Sequence, residues 1–543
     1  MESEGTMREV KRRVLDAAHA VGLGPQLVRA YDGLADLRDF DVDPRIRDHR
    51  GEPERPRGEV LFPVVEGHSR NAYRYYLFAH AFRLRGYRPV FVLCNADLDL
   101  CMRKAPDWSG DTVCDLCHHL GREMADAFGF DPIPLADLVD PNATYDLRRH
   151  GAPDPELYRG IDVATYAKAS VRKHLRKYHL DLQGDDRKTY RRFLRSACRL
   201  VDATYELLDR YDVRTCFGHD NAYVYGGVPL AVADARGVTG YSHMRGFRDE
   251  TIIFGRTTNR STLPWFEDDA LVRDLLDTPL TDEQTREIED LMRGRESGDA
   301  ARHRYSSTME RSIRRDEGTT VAGMFTNLIW DASLEVDVAP YPDVFEWIAD
   351  TIEWYADRPD AHLVVKPHPA ETKRGTNESV ARWIEDRYAP LPENVTLLSP
   401  DTDVNTYELI RDIDVCLVYN STVGLESAYN GTPVIVTGDT DYRGFGFTYD
   451  FDDPSEYPPL LERAADLEVT SEMRERAVRY AYHIFVRKHI RFPFYGTDNE
   501  SFEVRLRPVS HDDVTPGNEP FDRIVERSLR GEAILQPGLD EGS

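Results

Sequence analysis

Two short apolar runs, each followed by an abrupt polar loop, constrain the fold of this chain more than any other feature. Residues 363–365 and 415–419 are rich in β-branched side chains and are short enough to be buried parallel strands. The first run ends at Lys366-Pro-His-Pro, and the second ends at Asn420-Ser-Thr, which can cap a helix over residues 423–430. Polar residues therefore gather at the carboxyl ends of successive parallel strands, where open α/β sheets bind their ligands.

These polar loops also carry a family resemblance. The motifs KPHP at residues 366–369 and NST-x-GLE-x-A-x-x-G-x-PVI at residues 420–435 resemble the nucleotide-binding half of two-domain sugar transferases of the GT-B fold. Within that fold the chain is most similar to capsule polysaccharide biosynthesis proteins, a family that includes retaining Kdo transferases using CMP-Kdo. The similarity covers most of residues 318–490, including FTNLIW at 325–330 and YRGFGFT at 442–448.

The resemblance implies an α/β fold class, with two Rossmann-like domains of the GT-B type that face each other across a cleft. Patterns of strands and helices place the divisions along the chain. We predict a helical N-terminal extension at 1–57, an N-terminal Rossmann-like acceptor domain at 58–262 with a helical insertion at 155–212, a helical linker at 263–317, a C-terminal Rossmann-like nucleotide-sugar-binding domain with a crossing helix at 318–490, and a polar, loosely ordered tail at 491–543.

The candidate nucleotide site lies on the strand ends of the second domain. A helix N-terminus favours negative charge, so the loop before residue 423 is a natural phosphate seat. We predict that His368 binds the phosphate or stabilises charge on the leaving group. The resemblance implies that Glu426 grips the ribose; the alternative is favourable placement of an acid near a helix N-terminus. The full predicted set for the nucleotide sugar is Lys366, His368, Asn420, Ser421, Thr422, Gly424, Glu426 and Gly438.

Two carboxylates of the first domain are candidates for the chemistry itself. Glu66 and Asp220 follow predicted strands and would face the cleft. A retaining transferase that works through a covalent intermediate needs a carboxylate nucleophile, whereas an inverting one needs a general base. The sequence does not choose between these two acids, and either one also fits an ordinary loop position.

The charge of the chain excludes one class of partner. Its 543 residues carry 96 acidic against 69 basic side chains, a formal net charge of −27, so we predict no nucleic-acid partner. Acid spread along the whole chain is also typical of proteins from a high-salt cytoplasm. No apolar run reaches the length of a membrane-spanning helix, and the first residues resemble no signal peptide, so a cytoplasmic location is expected.

One segment runs against the acidic trend. Residues 168–199 contain a cluster of lysines and arginines with few acids, and the pairs Arg172/Arg176 and Lys173/Lys177 are predicted to share one face of a helix. A solvated face paired with acidic neighbours is one interpretation. The other is peripheral contact with anionic lipid headgroups or a lipid-linked acceptor.

Four of the seven cysteines lie close together in the sequence. Cys94, Cys101, Cys114 and Cys117 have the spacing C-x6-C-x12-C-x2-C, directly after a predicted strand. In a reducing compartment such a cluster predicts a metal site rather than disulfides. Four thiolates suit a closed structural zinc site, and the same ligands can hold an iron–sulfur cluster. Ordinary buried thiols are the alternative.

The function that these features favour is transfer of a sugar. We predict a glycosyltransferase that moves a sugar from a nucleotide-activated donor, with a CMP-linked ulosonic acid as a candidate, to a glycan or lipid-linked acceptor of a surface polysaccharide or glycolipid. Three alternatives stay open at this point. They are a polyol-phosphate transferase resembling CDP-glycerol glycerophosphotransferases, a nucleotide-sugar epimerase of the same fold, and a non-catalytic scaffold of a glycan assembly complex.

Overall fold

The fold is described from a computed structural model. The structure describes residues 42–49, 53, 55–65, 67, 72–102, 104, 112–143, 145, 157–219, 221–257, 263–297, 318–331, 340–373, 375–402, 404–497 and 504–536. Most of the predicted N-terminal extension, the end of the predicted linker and the last residues of the chain therefore lie outside the described residues.

The strands are numbered in chain order. They are β1 (Glu59–Val65), β2 (Arg88–Leu93), β3 (Ile133–Pro134), β4 (Leu157–Tyr158), β5 (Ile161–Asp162), β6 (Val213–Gly218), β7 (Gly240–Arg245), β8 (Thr251–Arg256), β9 (Thr320–Phe325), β10 (Ala361–Lys366), β11 (Val395–Leu397), β12 (Val415–Val418), β13 (Val434–Val436), β14 (Tyr449–Asp450), β15 (Ile490–Arg491), β16 (Tyr495–Thr497) and β17 (Val504–Leu506).

The α-helices follow the same order. They are α1 (Pro44–Asp48), α2 (Ala72–Leu84), α3 (Thr112–Phe128), α4 (Val163–Leu175), α5 (Arg187–Arg210), α6 (Val224–Ala235), α7 (Asp269–Asp277), α8 (Asp282–Glu296), α9 (Val344–Ala356), α10 (Ala370–Lys373), α11 (Val380–Arg387), α12 (Thr406–Asp412), α13 (Thr422–Asn430), α14 (Tyr457–Glu462), α15 (Ser471–Tyr482), α16 (His511–Val514) and α17 (Phe521–Leu529).

The chain divides into two compact units. The first comprises the described residues among 1–174, 180–264 and 490–535, and the second those among 175–179, 265–489 and 536–543. Helices α7 and α8, which the sequence predicts as a linker, belong to the second unit.

The first unit is built on a sheet with the strand order β15-β8-β7-β6-β1-β2-β3. The five strands from β7 to β3 are parallel to one another. At the β7 edge, β8 pairs antiparallel with β7, and β15 pairs antiparallel with β8. Pro63 lies inside the central strand β1, where the pairing with β2 shifts register between Phe62 and Val65. Proline has no N–H to donate to a ladder, which is why it is found at such irregularities.

Aromatic side chains form the core of the first unit. Phe62 on β1 stacks on Phe91 of β2 at 4.8 Å and on Phe217 of β6 at 5.8 Å between ring centroids. Helix α2 is buried nearly all round, including its polar residues Arg74, His80 and Arg83. Stacked aromatic pairs add about 0.5–1.5 kcal/mol each beyond the area they bury.

The C-terminal segment differs from the loosely ordered tail that the sequence predicts. Helix α17 contacts α2, and Phe521, Ile524 and Val525 are buried in the same core as Phe62. The apolar residues of this segment are interrupted by polar ones in the sequence, but they share one face of α17. That face is stabilised by packing against α2.

The second unit contains a six-stranded, all-parallel sheet with the order β11-β10-β9-β12-β13-β14. Counted from β9, this order is 3-2-1-4-5-6, the order of the Rossmann fold. The parallel part of the first unit likewise follows 3-2-1-4-5 when the β4–β5 hairpin is set aside. The predicted fold class of two Rossmann-like α/β units is therefore confirmed.

A chain of histidines joins α2 to the C-terminal segment within the first unit. His80 is fully buried; its Nδ1 accepts a hydrogen bond from Arg83 at 2.8 Å, and its Nε2 lies 3.2 Å from Nδ1 of His511. Because Nδ1 is an acceptor, neutral His80 carries its proton on Nε2 and donates to His511. Burial, with the nearby charge of Arg83 adding to it, lowers the pKa of His80 to about 2.

This histidine makes the stability of the protein depend on pH. The folded-state pKa of His80 lies below the unfolded value of about 6.5, so its contribution is present above that pH and is lost as the pH falls. We expect His80 to add up to about 1.4 kcal/mol per pH unit to the loss of unfolding free energy below about pH 6. Urea unfolding at several pH values measures the unfolding free energy as a function of pH. Below about pH 6 this free energy should fall less steeply in His80→Gln than in the wild type.

The matched control is His362→Gln, a more exposed histidine of the second unit that contacts Thr396 at 2.9 Å. Its slope should equal that of the wild type. An unchanged slope in His80→Gln would show that His80 is not the proton-linked group.

Candidate functional site

The candidate site of the second unit lies where the order of its strands reverses. Strand β9 pairs on one side with β10 and on the other with β12, so Phe325 is in register with both Lys366 and Val418. The residues that follow these three strands therefore meet at one edge of the sheet. This is the position at which open α/β sheets bind ligands.

Asn327 holds two of these strand ends together, although it is not among the site residues predicted from the sequence. Its Nδ2 donates to the carbonyl oxygen of Asn420, and its Oδ1 accepts from the Asn420 N–H at 3.2 Å. One buried amide thus satisfies both backbone groups of the residue before the helix cap. The signal available in the sequence was the FTNLIW segment, which contains this asparagine.

The neighbouring Thr326 has an unusual hydroxyl. Its N–H donates to the carbonyl oxygen of Lys366 at 3.2 Å, which ties β9 to β10 just beyond the last paired residues. The side chain is only 3% exposed, and its Oγ1 has no hydrogen-bond partner among the residues that the structure describes. A buried hydroxyl without a partner costs about 1–3 kcal/mol, so such a group in a native fold calls for an explanation.

The loop before α13 forms a conventional helix cap. Ser421 is the N-cap and accepts a hydrogen bond from the Val423 N–H at 3.3 Å, while Thr422 is exposed. The hydroxyl of Tyr442 donates to the carbonyl oxygen of Ser421 at 2.6 Å and fixes the loop from below. Only one of the two hydroxyls is therefore used for capping, as expected of a plain N-cap.

The two glycines of the predicted set are explained by packing. A Cβ at Gly424 would lie 2.2 Å from the Tyr442 hydroxyl, and one at Gly438 would lie 2.3 Å from the carbonyl oxygen of Tyr419. The contact at Gly438 is with backbone, so glycine is required there whether or not a ligand binds, whereas a Cβ at Gly424 would have to displace the buried Tyr442 side chain. Their predicted contact with the nucleotide stays a prediction.

The ring of His368 accepts a hydrogen bond from the backbone of the next helix. Its Nδ1 accepts the Ala370 N–H at 3.0 Å, so in the neutral ring the proton is on Nε2. The side chain is half-buried, and Lys366, two residues earlier, is buried. The nearby Glu371 accepts from the Ser379 hydroxyl at 2.7 Å, and burial raises the pKa of its carboxyl.

Glu426 is a member of a buried ion pair. It is 4% exposed, and its Oε1 accepts from Arg295 of α8, including a contact of 3.2 Å from Nε. The guanidinium also lies 4.4 Å from the ring centroid of Phe485, and Tyr407 hydrogen-bonds to the pair. The carboxylate thus has a structural partner already, and its role toward a ribose stays a prediction.

The two candidate catalytic acids, Glu66 and Asp220, lie outside the described residues. Asp220 is flanked by His219 and Asn221, which are both buried. The assignment of a nucleophile or a base to either acid therefore stays a prediction.

The four clustered cysteines meet in space. Cys94, Cys101, Cys114 and Cys117 line one cavity of the first unit, and all seven cysteines of the chain are thiols. Burial raises the pKa of the Cys94 thiol to about 12. Within the described ranges, no group of three or more histidine, cysteine, aspartate or glutamate side chains is arranged to hold one metal ion.

The predicted basic helix face is wrong in part. Helix α4 ends at Leu175, and Arg176 has a φ of 51°, so Arg176 and Lys177 do not continue the face of Arg172 and Lys173. Farther along, Arg195 of α5 pairs with Asp99. No helix in the described part of the chain is long and apolar enough to cross a membrane.

The buried pair gives a prediction for the second unit. Arg295→Met leaves the carboxylate of Glu426 buried without its cation, so we expect the unfolding free energy to fall by about 3–5 kcal/mol in denaturant titrations. Replacing both partners, as Arg295→Met with Glu426→Leu, should recover most of that loss because the site then holds only apolar groups.

The control lies on the same helix. Arg293 pairs with Asp290, and their side chains are 65% and 72% exposed, so Arg293→Met should change stability by less than about 1 kcal/mol. Equal losses in Arg293→Met and Arg295→Met would contradict a special role for the buried pair.

A protein-family model matches the part of the chain that contains both motifs. Residues 331–486 match the family model described as "Capsule polysaccharide biosynthesis protein". The matched segment contains both the KPHP and the NST loops and lies in the second unit. No curated protein sequence matches the chain.

Solved structures show only distant likeness. The beta Kdo 2,4 transferase KpsC of Thermosulfurimonas dismutans is 15% identical over 49% of this chain and 79% of its own, with a TM-score of 0.34. The beta Kdo 2,7 transferase KpsC of the same organism is 16% identical over 49% and 74%, with a TM-score of 0.30. A UDP-GlcNAc 2-epimerase of Neisseria meningitidis is 9% identical over 79% and 98%, with a TM-score of 0.28.

All three TM-scores are below 0.5. The family model is the stronger finding, because its match includes the loops on which the resemblance was based. Over residues 331–486 the resemblance to capsule polysaccharide biosynthesis proteins is confirmed.

Proposed function

We propose that this chain is a glycosyltransferase that binds a nucleotide-activated sugar at the strand ends of its second unit. The observation that carries this proposal is the meeting of four phosphate-compatible features at one sheet edge. They are the N-terminus of α13, the buried hydroxyl of Thr326, Lys366 and the Nε2 of His368. The match to a polysaccharide biosynthesis family supports the same class of substrate.

The phosphate of the donor would sit at the start of α13. Backbone N–H groups of the first helical turn lack partners within the helix, and the helix dipole favours an anion there. Lys366 adds a positive charge at the end of the adjacent strand pair. Together these groups would stabilise the negative charge that develops on the phosphate as the sugar leaves.

His368 would donate the hydrogen bond that strengthens during the reaction. Its Nδ1 is occupied by the Ala370 N–H, so the ring is held in the tautomer that offers an N–H at Nε2. A donor aimed at the leaving phosphate lowers the barrier only insofar as its bond is stronger in the transition state. A carboxylate of the first unit, Glu66 or Asp220, would act as nucleophile or base.

The donor that we propose is a CMP-linked ulosonic acid, and the acceptor is a glycan or a lipid-linked sugar. A thermal-shift screen of CMP, UDP, GDP and CDP at high salt tests the nucleotide. A ligand at a hundredfold excess over its Kd stabilises the folded protein by about 2.7 kcal/mol. Preference for CDP, or for none of the four, would contradict the proposed donor.

Analysis of products separates the related chemistries. Release of CMP with formation of a glycoside supports the proposal. Formation of a phosphodiester would indicate a polyol-phosphate transferase, and an isomerised nucleotide sugar would indicate an epimerase. Cytoplasmic activity at the inner face of the membrane is the location that we propose for the reaction.

The hydroxyl of Thr326 provides a sharp test of the site. Because it has no partner in the described part of the protein, Thr326→Val should leave the stability of the unliganded chain unchanged or raise it. If the hydroxyl bonds the bound nucleotide, the variant should lose affinity by up to about tenfold, the equivalent of about 1.4 kcal/mol. Calorimetric titration and thermal unfolding measure the two effects.

The matched control is Thr351→Val. Thr351 is equally buried, but its hydroxyl donates to the Trp347 carbonyl at 2.7 Å and lies 3.0 Å from the Tyr457 hydroxyl. This change should lower stability and leave nucleotide affinity intact. Unchanged nucleotide affinity in Thr326→Val would show that the Thr326 hydroxyl does not bind the nucleotide.

Two substitutions of His368 test its two ring nitrogens separately. Asparagine places an oxygen near Nδ1 and can still accept the Ala370 N–H, but it has nothing at Nε2. Glutamine reaches the Nε2 position with an amide donor and lacks the Nδ1 acceptor. We expect His368→Asn to lower kcat by about 100-fold, as loss of one transition-state donor does, and His368→Gln to lower it less.

Steady-state kinetics with saturating donor measures this difference, and circular dichroism checks that both variants fold. Equal rates in the two variants would contradict a role for Nε2.

A further inference from the structure

Glu371 comes two residues after the KPHP loop, and its ionisable side chain is buried. Only 3% of the residue is exposed. Its Oε2 accepts a hydrogen bond from the Ser379 hydroxyl at 2.7 Å, and its Oε1 accepts from the Val380 N–H at 3.3 Å. Both donors lie at the start of α11. The carboxylate of Glu371 therefore connects the short helix α10 to the N-terminus of α11.

The short helix that contains Glu371 also holds His368. The Ala370 N–H donates to Nδ1 of the His368 ring at 3.0 Å, and the Glu371 N–H donates to the His368 carbonyl oxygen at 3.0 Å. The ring and the backbone of His368 are thus both bonded to the first two residues of α10. Because the imidazole ring is rigid, the orientation of α10 sets the direction in which Nε2 points.

Helix α10 does not keep this orientation by itself. It is only four residues long, and a single helical turn is not stable in isolation. Ala370 is buried in the core of the second unit, and the carboxylate of Glu371 adds the hydrogen bonds to α11. Pro367 and Pro369 have fixed φ angles, so a movement of α10 would be passed on to His368.

Capping of α11 alone does not account for a buried carboxylate at this position. Helix α11 already has its own N-cap, because the Oγ of Ser379 accepts the Arg382 N–H at 3.3 Å. Burial raises the pKa of the Glu371 carboxyl, although the hydrogen bonds from α11 favour its charged form. Since the folded-state pKa lies above the unfolded value, the ionised carboxyl lowers the stability of the folded state at neutral pH. Groups with such perturbed pKa values cluster at functional sites.

We propose that Glu371 is a positioning residue, which aims the Nε2 of His368 at the leaving phosphate by fixing α10 to the start of α11. This inference rests on the proposed function, from which His368 takes its role as a donor. Glu371 acts through His368 alone and exchanges no proton with the substrate. Displacement of a reacting group by about 1 Å can cost about 100-fold in rate, so a modest shift of α10 is sufficient for a measurable effect.

Steady-state kinetics tests this role. Glu371→Ala should lower kcat by about 10- to 100-fold while the donor KM changes much less. Glu371→Gln keeps an oxygen that accepts from α11, so it should restore most of the lost kcat. In a His368→Asn background, Glu371→Ala should cause no further loss, because the two residues act as one unit. Independent, additive losses in the double variant would overturn the proposal.

The tautomer of His368 gives a readout that needs no transferase activity. NMR spectra of the full chain, labelled at its histidine ring nitrogens, distinguish a ring protonated at Nε2 from one protonated at Nδ1. The signal that disappears in His368→Asn identifies this ring. Wild-type protein should show the Nε2 tautomer, and Glu371→Ala should shift the signal toward a mixture of both tautomers. An unchanged signal in Glu371→Ala would overturn the proposal.

The matched control is a second carboxylate between α10 and α11. The Oε2 of Glu378 accepts the N–H groups of Tyr178 and His179 at 2.8 and 3.0 Å, so its partners lie outside α10 and α11. Glu378→Ala should therefore leave both kcat and the His368 signal as in the wild type. Equal effects of Glu378→Ala and Glu371→Ala would show that the loss of any carboxylate in this segment disturbs the site, and would overturn a specific role for Glu371.

If Glu371→Ala does not fold, Ser379→Gly removes the hydroxyl that bonds the carboxylate, and glycine is tolerated at an N-cap. The His368 signal should then shift in the same direction, and a wild-type signal with wild-type kcat would overturn the proposal. Failure of the proposed function has a different result. A changed His368 signal in a chain that transfers no sugar from any donor would support the positioning by Glu371 and overturn the proposed sugar transfer. Sugar transfer with wild-type kcat in Glu371→Ala would do the reverse.

Discussion

The candidate site of the second unit depends on the pairing of one central strand with both of its neighbours. Strand β9 is in register with β10 and β12 at the same residue, Phe325. Because parallel strands all end at the same edge, this pairing places Thr326 and Asn327 between Lys366 and Asn420. A shift of β9 by one residue in its register would turn Thr326 and Asn327 each to the face opposite to its present one. The two hydrogen bonds between Asn327 and Asn420 would then be lost. The geometry offered to a phosphate is thus a consequence of sheet register.

Buried ion pairs connect the segment before β9 to the rest of the second unit. Arg295 of α8 pairs with Glu426, and Lys488 pairs with Glu267, with both side chains of the second pair at most 2% exposed. Taking such charges out of water is costly, so these pairs add little stability relative to apolar groups. Their effect is selective, because either partner alone would be strongly disfavoured in the interior.

The two units place different side chains at the same edge of the same strand order. In the second unit that edge carries a helix N-terminus, a lysine and a histidine, which suit an anion. In the first unit that edge carries Cys94, which follows β2 and lines an apolar cavity together with three other cysteines. A shared fold therefore does not fix the ligand, and each site must be argued from its own side chains.

The sequence by itself determined the elements whose causes are local. The β-branched runs predicted β10 and β12, and the helix expected over residues 423–430 is α13, which ends before Gly431 with its φ of 86°. The spacing of the four cysteines marked them as a group, and the cavity brings them together. These features follow from residue type and short-range spacing, which a single sequence displays directly.

Tertiary structure alone decided the contacts between residues far apart in the chain. Arg295 and Glu426 are separated by 131 positions and Asn327 and Asn420 by 93, and no local pattern announces either contact. The same holds for α17, whose apolar face has meaning only against α2, and for Arg176, where the chain leaves α4 in a left-handed conformation. Local propensity sets which elements form, but long-range packing sets which buried polar groups find partners. That is why the strands could be predicted, whereas the partners of Glu426 and Asn420, and a Thr326 hydroxyl that has no partner among the described residues, could not.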